Sequence, residues 1–145
     1  MSAEENKIIV RRQLEDIWNG KNPNLVNDIF TANFVRYGPS LEGEIRGREG
    51  FRQLVTMYRT TYPDLRVTLE DQVAEGALVA TRWTARGTHR GALMGIAPTG
   101  KQISVTGVII DRFAGGKIEA EWAYYDAMGM LQQLGVASPV GRGTA

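Results

Sequence analysis

The spacing of hydrophobic positions changes once along the chain, near residue 65, from a helical period to a strand period. Before that point, Ser2 and Glu5 have the spacing of a capping box, and Val10, Leu14, Ile17 and Trp18 recur at helical intervals until Gly20 stops them. This predicts a helix over residues 3–19. Asn22 and Pro23 open a short second helix with Leu25, Val26, Ile29 and Phe30 on one face. Phe34 to Tyr37 reads as a brief extended piece broken by Gly38 and Pro39, and residues 41–46 as an exposed loop. A third helix starts near Gly47, carries Phe51, Leu54, Val55 and Tyr58 on one side, and ends before Pro63.

From Leu65 onward, Leu65, Val67 and Leu69 alternate with Arg66, Thr68 and Glu70, and Glu75 with Gly76 offers a hairpin turn. A long strand is expected over residues 78–89 and another over 103–113, separated by a loop holding Gly91, Gly95, Pro98 and Gly100. Gly115 and Gly116 then turn the chain into residues 116–126, which alternate, concentrate aromatic and acidic side chains, and run into a short apolar helix. Four consecutive antiparallel strands follow three helices. That order is α+β: a cone in which the N-terminal helices pack on a curved antiparallel sheet and enclose a pocket. One domain is expected over residues 1–135, with a flexible tail over 136–145.

Composition narrows the function. With 145 residues, 43% hydrophobic and 23% charged, and a formal charge of +1, the chain reads as a globular domain rather than a nucleic-acid binder. No cysteine and one histidine leave no thiolate metal site and no His-based zinc site within one chain. No long apolar run suggests a signal or a membrane span, so a cytoplasmic location without membrane contact is expected.

Four stretches carry a family resemblance: YPDL at residues 62–65, VATRWTARGTH at 79–89, MGIAPTG at 94–100, and Asp126 with AMGMLQQLG through residue 135. Together they resemble the SnoaL-like polyketide cyclases of the nuclear transport factor 2-like superfamily, over roughly residues 7–135. The resemblance implies an α+β cone, a homodimer, a largely apolar pocket and ring closure by aldol chemistry without cofactor or metal. It also places Ala123 where the aldol cyclases carry their acid–base carboxylate. Arg36 or Tyr37 falls where they carry an asparagine, and Gly107 and Ile109 where they carry glutamine and histidine.

The candidate site residues are read from strand parity, helical spacing and side-chain chemistry. Glu121 shares the face of Ala123, and a carboxylate in an apolar pocket suits proton transfer; its other reading is a surface acid paired with Arg82 or Arg86. Tyr37 could polarise a carbonyl, with its neighbour Arg36 pointing the opposite way to the surface. Asp126 is placed to cap the last helix and is kept as a second acid. His89 is read as a loop anchor. Trp18, Tyr58, Trp83, Met94, Trp122 and Tyr125 are candidates for the pocket wall or for core. The expectation is a cofactor-independent enzyme that cyclises or isomerises a small apolar carbonyl ligand, flat polycyclic ones included. The alternatives are a related hydroxylase or hydrolase, or a binding domain without turnover.

Overall fold

The computed structural model describes residues 2–39 and 41–136. The capping box forms: the Glu5 amide donates to Ser2 Oγ and the Ser2 amide to Glu5 Oε1, each at 3.0 Å. Helix α1 (Ala3–Arg12) then passes into a π-helical turn, Gln13–Trp18, instead of continuing as the uninterrupted helix expected over 3–19. The wider turn buries Gln13, Leu14 and Ile17 together. A 3₁₀ turn at Pro23–Leu25 leads into α2 (Val26–Ile29).

Next come β1 (Phe30–Tyr37), the two-residue β2 (Ile45–Arg46) and α3 (Gly47–Thr61). The strands β3 (Arg66–Glu75), β4 (Leu78–Thr88), β5 (Gln102–Ala114) and β6 (Lys117–Tyr125) form the expected antiparallel meander. The sheet is larger than expected and mixed. Its order is β2-β1-β6-β5-β4-β3, with β1 parallel to β6, so the brief extended piece is an eight-residue strand beside the last one. Phe30 and Phe34 share the inward face of β1 and cluster with Phe51 of α3, with ring centroids 4.4–5.7 Å apart, which anchors the strand to the helical layer.

Polar side chains join the layers. The Asn19 amide donates to Val67 O at 3.1 Å and accepts from Val67 N at 2.7 Å, occupying part of the free edge of β3. Arg59 donates to the carbonyls of Trp18 and Leu65, each at 3.0 Å. Helix α4 (Ala127–Leu134) is capped by Asp126 and held on β5 by Gln133, which bonds both the amide and the carbonyl of Ser104. Residues 137–145, most of the expected tail, lie outside the described residues. Among the described residues no helix is long and apolar enough to cross a membrane.

Gly107 shapes the inner face of the sheet. Its cross-strand partner is Trp83, and a Cβ at Gly107 would sit 2.4 Å from the Trp83 ring and 2.6 Å from Tyr124 O. The bare backbone lets the indole lie across β5. Gly107→Ala should lower the urea-unfolding free energy by about 1–3 kcal/mol, as overpacked cores do, and alter the near-ultraviolet circular dichroism of Trp83. An unchanged midpoint and spectrum would mean that the indole is not held there.

Candidate active site

Between the helices and the sheet lies a cavity of about 80 Å³. Its walls are apolar side chains from every layer, among them Leu14, Val67, Ile103, Val105 and Ile109, and Met130 of α4. Polar groups interrupt them mainly where β1, β6 and α3 meet, at Arg36, Tyr58, Glu121 and Tyr125.

Parity explains how these groups arrive. Arg36 follows Phe34 by two residues and so faces inward with it, while Tyr37 faces out. On β6 the register shifts opposite Arg112 and Phe113, and beyond that bulge Glu121, Ala123 and Tyr125 all face inward. The parallel pairing of β1 with β6 puts Arg36 directly beside Glu121.

Arg36 is almost fully buried and held by two carboxylates. Its Nε donates to Glu121 Oε2 at 3.2 Å and its Nη1 to Glu42 Oε1 at 2.7 Å. Burial works to lower the Arg36 pKa, but Glu121 and Glu42 outweigh it and the net shift is upward. Glu42 shows the converse balance: burial raises its pKa, and Arg36 with its hydrogen bonds brings it below the ordinary value. Its second oxygen, Oε2, lies 2.9 Å from the Tyr58 hydroxyl and 3.0 Å from that of Tyr125, and the two hydroxyls are 2.7 Å apart. Burial, reinforced by Glu42, pushes Tyr125 up to about 12 and Tyr58 higher still, so both phenols keep their protons at neutral pH.

Behind Glu121 stands Asp111 of β5, fully buried and its direct cross-strand partner. Burial above all, then the neighbouring Glu121, pushes the Asp111 carboxyl well above its ordinary value, against the opposing pull of Arg36 and Gln13. Tyr62 and Trp83 also line the cavity, and neither the Tyr62 hydroxyl nor the Trp83 Nε1 has a hydrogen-bond partner among the described residues. Burial pushes Tyr62 up to about 12.

The structure therefore brings together Glu121, Trp18, Tyr58, Trp83 and Tyr125 and leaves four candidates outside. Tyr37 is 37% exposed and stacks on Trp122 at 5.6 Å, on the face of the sheet away from the helices. Trp122 is covered there by Arg112, 5.3 Å from its ring. Met94 is 48% exposed in the loop after β4, and Asp126 is exposed, its Oδ1 accepting from the Gly129 amide at 2.9 Å. The expected surface position of Arg36 is also corrected. Its parity with Phe34 points inward, and its charge alone argues for water. Glu121 pairs with Arg36 and not with Arg82, which is bonded to Asp71. The expectation of an exposed loop over residues 41–46 fails at Glu42, whose side chain the Arg36 charge draws inward. Asp111 carries a usable signal in the sequence, because it continues the inward series Ile103, Val105, Gly107, Ile109. His89 is fully buried, and its Nδ1 accepts from the Thr99 amide at 3.1 Å, tying the ends of the loop after β4.

Residues 8–134 match the SnoaL-like polyketide cyclase family. The chain belongs to that family. It is 30% identical to the aklanonic acid methyl ester cyclase AcmA of Streptomyces galilaeus, over 90% of each chain. Against the cyclase of the same description, DnrD, of Streptomyces peucetius, identity is 27% over 93% of this chain and 94% of the relative. Among solved structures, it superposes on AclR, a candidate hydroxylase from Streptomyces galilaeus, with a TM-score of 0.82 at 26% identity, covering 97% of this chain and 91% of the other. IdmH, a candidate polyketide cyclase from Streptomyces antibioticus, gives 0.77 at 30%, covering 90% and 99%. Within this SnoaL-like cavity Ala123 occupies the inward position one alternation beyond Glu121, so the lining carboxylate of β6 is Glu121.

Removing Arg36 from the cavity would leave two buried carboxylates unpaired. Arg36→Met should cost about 3–5 kcal/mol of stability at neutral pH, read by urea unfolding. Glu42 has a depressed folded pKa, so its contribution is present above its unfolded value, about 4.3, and is lost as pH falls through the folded one. The deficit of the variant should therefore shrink in acid. A deficit independent of pH would mean that Arg36 acts through packing alone.

Proposed function

We propose that this chain closes a ring on an apolar carbonyl substrate by proton transfer from its own side chains. The observation that supports the reading is an apolar cavity with one lining carboxylate, Glu121, and two phenols, Tyr58 and Tyr125, in contact with each other. Glu121 removes a proton from a carbon next to a carbonyl, and the electron pair of that C–H bond becomes an enolate. The enolate carbon attacks a second carbonyl of the same molecule and forms the ring bond. The resulting alkoxide takes back the proton from Glu121, leaving the carboxylate as it began.

The phenols supply the donor for the developing oxyanion. Tyr58, Tyr125 and Glu42 form a triangle with three short oxygen–oxygen contacts, but two hydroxyls hold only two protons. One phenol can thus turn its O–H toward the substrate while the other keeps its bond to Glu42. Neither movement requires breaking the pair between Glu42 and Arg36. The unpartnered Tyr62 hydroxyl and Trp83 Nε1 offer further donors to an oxygenated ring system, as the aklanonic acid methyl ester of the related cyclases would present. The apolar walls lower the local dielectric, which strengthens each of these contacts.

The experiment is turnover of aklanonic acid methyl ester by the wild type and by variants. Glu121→Gln should slow ring closure by about 10²–10⁴-fold, and Tyr58→Phe or Tyr125→Phe by less, because either phenol can serve alone. Tyr37→Phe and Asp126→Asn, outside the cavity, should stay close to wild type. Undiminished turnover by Glu121→Gln would sink the assignment. Binding of the ester with no ring closure would favour a binding domain without turnover.

A further inference from the structure

Asp111 is a buried carboxyl on the inner face of the sheet for which the ring closure has no task. It lies at an inward position of β5 with no exposure, and its cross-strand partner is Glu121. Side chains so paired have Cβ atoms about 4.5–5.5 Å apart, within reach of a carboxyl–carboxylate hydrogen bond. Across its other side, β4 presents only Val79. From β1 comes Arg36, but both of its bonded nitrogens already serve Glu121 and Glu42. From the π-helical turn comes the Gln13 amide, which pulls Asp111 toward its charged form less than burial and Glu121 push it the other way, and which makes no hydrogen bond of ordinary geometry with it. Hence, among the described residues, neither Asp111 oxygen has a hydrogen-bond donor of ordinary geometry, and neither does Glu121 Oε1.

Two facing carboxylates have only lone pairs to offer each other. One added proton changes repulsion into a hydrogen bond and supplies a partner on both sides. We propose that Asp111 retains a proton at neutral pH and donates it to Glu121, so that the two carboxyls work as one acid–base unit bearing a single negative charge. Asp111 is then a positioning residue, acting through Glu121, and this role in turnover rests on Glu121 being the reacting base. When Glu121 takes the substrate proton, the pair holds two protons and no charge. When the alkoxide recovers one, the pair returns to its starting state, and no proton has to come from solvent. Holding Asp111 neutral also spares the cluster of Arg36, Glu42 and Glu121 a further buried negative charge.

Two substrate-free measurements test the proton itself. The infrared difference spectrum of wild type against Asp111→Asn at neutral pH should contain the carbonyl stretch of a protonated carboxylic acid, lost in the variant. Thermal unfolding across pH adds a sign. A carboxyl whose folded pKa lies above its unfolded value, about 3.9 for aspartate, contributes most below that value, and its contribution falls as pH rises toward the folded one. Asparagine does not titrate, so the stability of Asp111→Asn relative to wild type should rise with pH above about 4. No acid band, together with a relative stability that falls as pH rises, would overturn the proposal.

Turnover then tests the coupling. Asp111→Asn still offers an N–H to Glu121 and should keep ring closure within about tenfold of wild type, whereas Asp111→Leu offers none and should lose more. Wild type should lose activity at high pH as Asp111 ionises, and Asp111→Asn should not. If the acid band and the stability trend appear while Asp111→Asn and Asp111→Leu behave alike in turnover, the shared proton stands and Glu121 is not the reacting base. If they are absent, the shared proton fails whatever Glu121 does.

Discussion

The burial of one guanidinium, that of Arg36, is the constraint on which the interior of this SnoaL-like chain depends. A charge taken out of water must be matched nearby, and replacing its lost hydration requires several oxygen atoms in fixed positions. Glu121 supplies one because β1 pairs in parallel with β6, and Glu42 supplies another because the connection after β1 folds its side chain inward. Glu42 in turn needs a donor for its second oxygen, which Tyr58 of α3 and Tyr125 of β6 provide. Helix, sheet and connecting loop are thus tied at one point by charge as well as by packing.

That network explains how a cavity with apolar walls can hold charged and polar side chains. The charged atoms are turned toward one another, leaving the face of Glu121 and the two phenols against the hollow. Apolar surroundings lower the local dielectric, which is what raises the Asp111 carboxyl beside Glu121 and keeps both phenols protonated. The aldol cyclases that the chain resembles place their acid at the position of Ala123. In this chain the inward carboxylate of β6 is one alternation away on the same face, about 7 Å along the strand. At that position β1 places Arg36 directly beside it.

Much of this architecture is legible in the order of residues alone. The capping box of Ser2 and Glu5, the amphipathic α3, the meander of four strands and the capping role of Asp126 all follow from local chemistry, and each forms as expected. The inward direction of Glu121 and Tyr125 also follows from parity along a single strand. The same parity counted from Phe34 turns Arg36 inward, and counted from Ile109 it turns Asp111 inward. In both cases the general cost of burying a charge argues against the pattern, and the pattern wins.

The elements, their order and the face on which most side chains lie are therefore written into the chain itself, because each depends on neighbours within a few residues. Which face meets a partner is settled only when the layers come together. The parallel junction of β1 with β6, the inward turn of Glu42 and the meeting of Tyr58 with Tyr125 join residues as far apart as Phe30 and Ile118. A buried charge is permitted only by a countercharge arriving from elsewhere in the chain. That condition is a property of the assembled fold, and no local pattern encodes it.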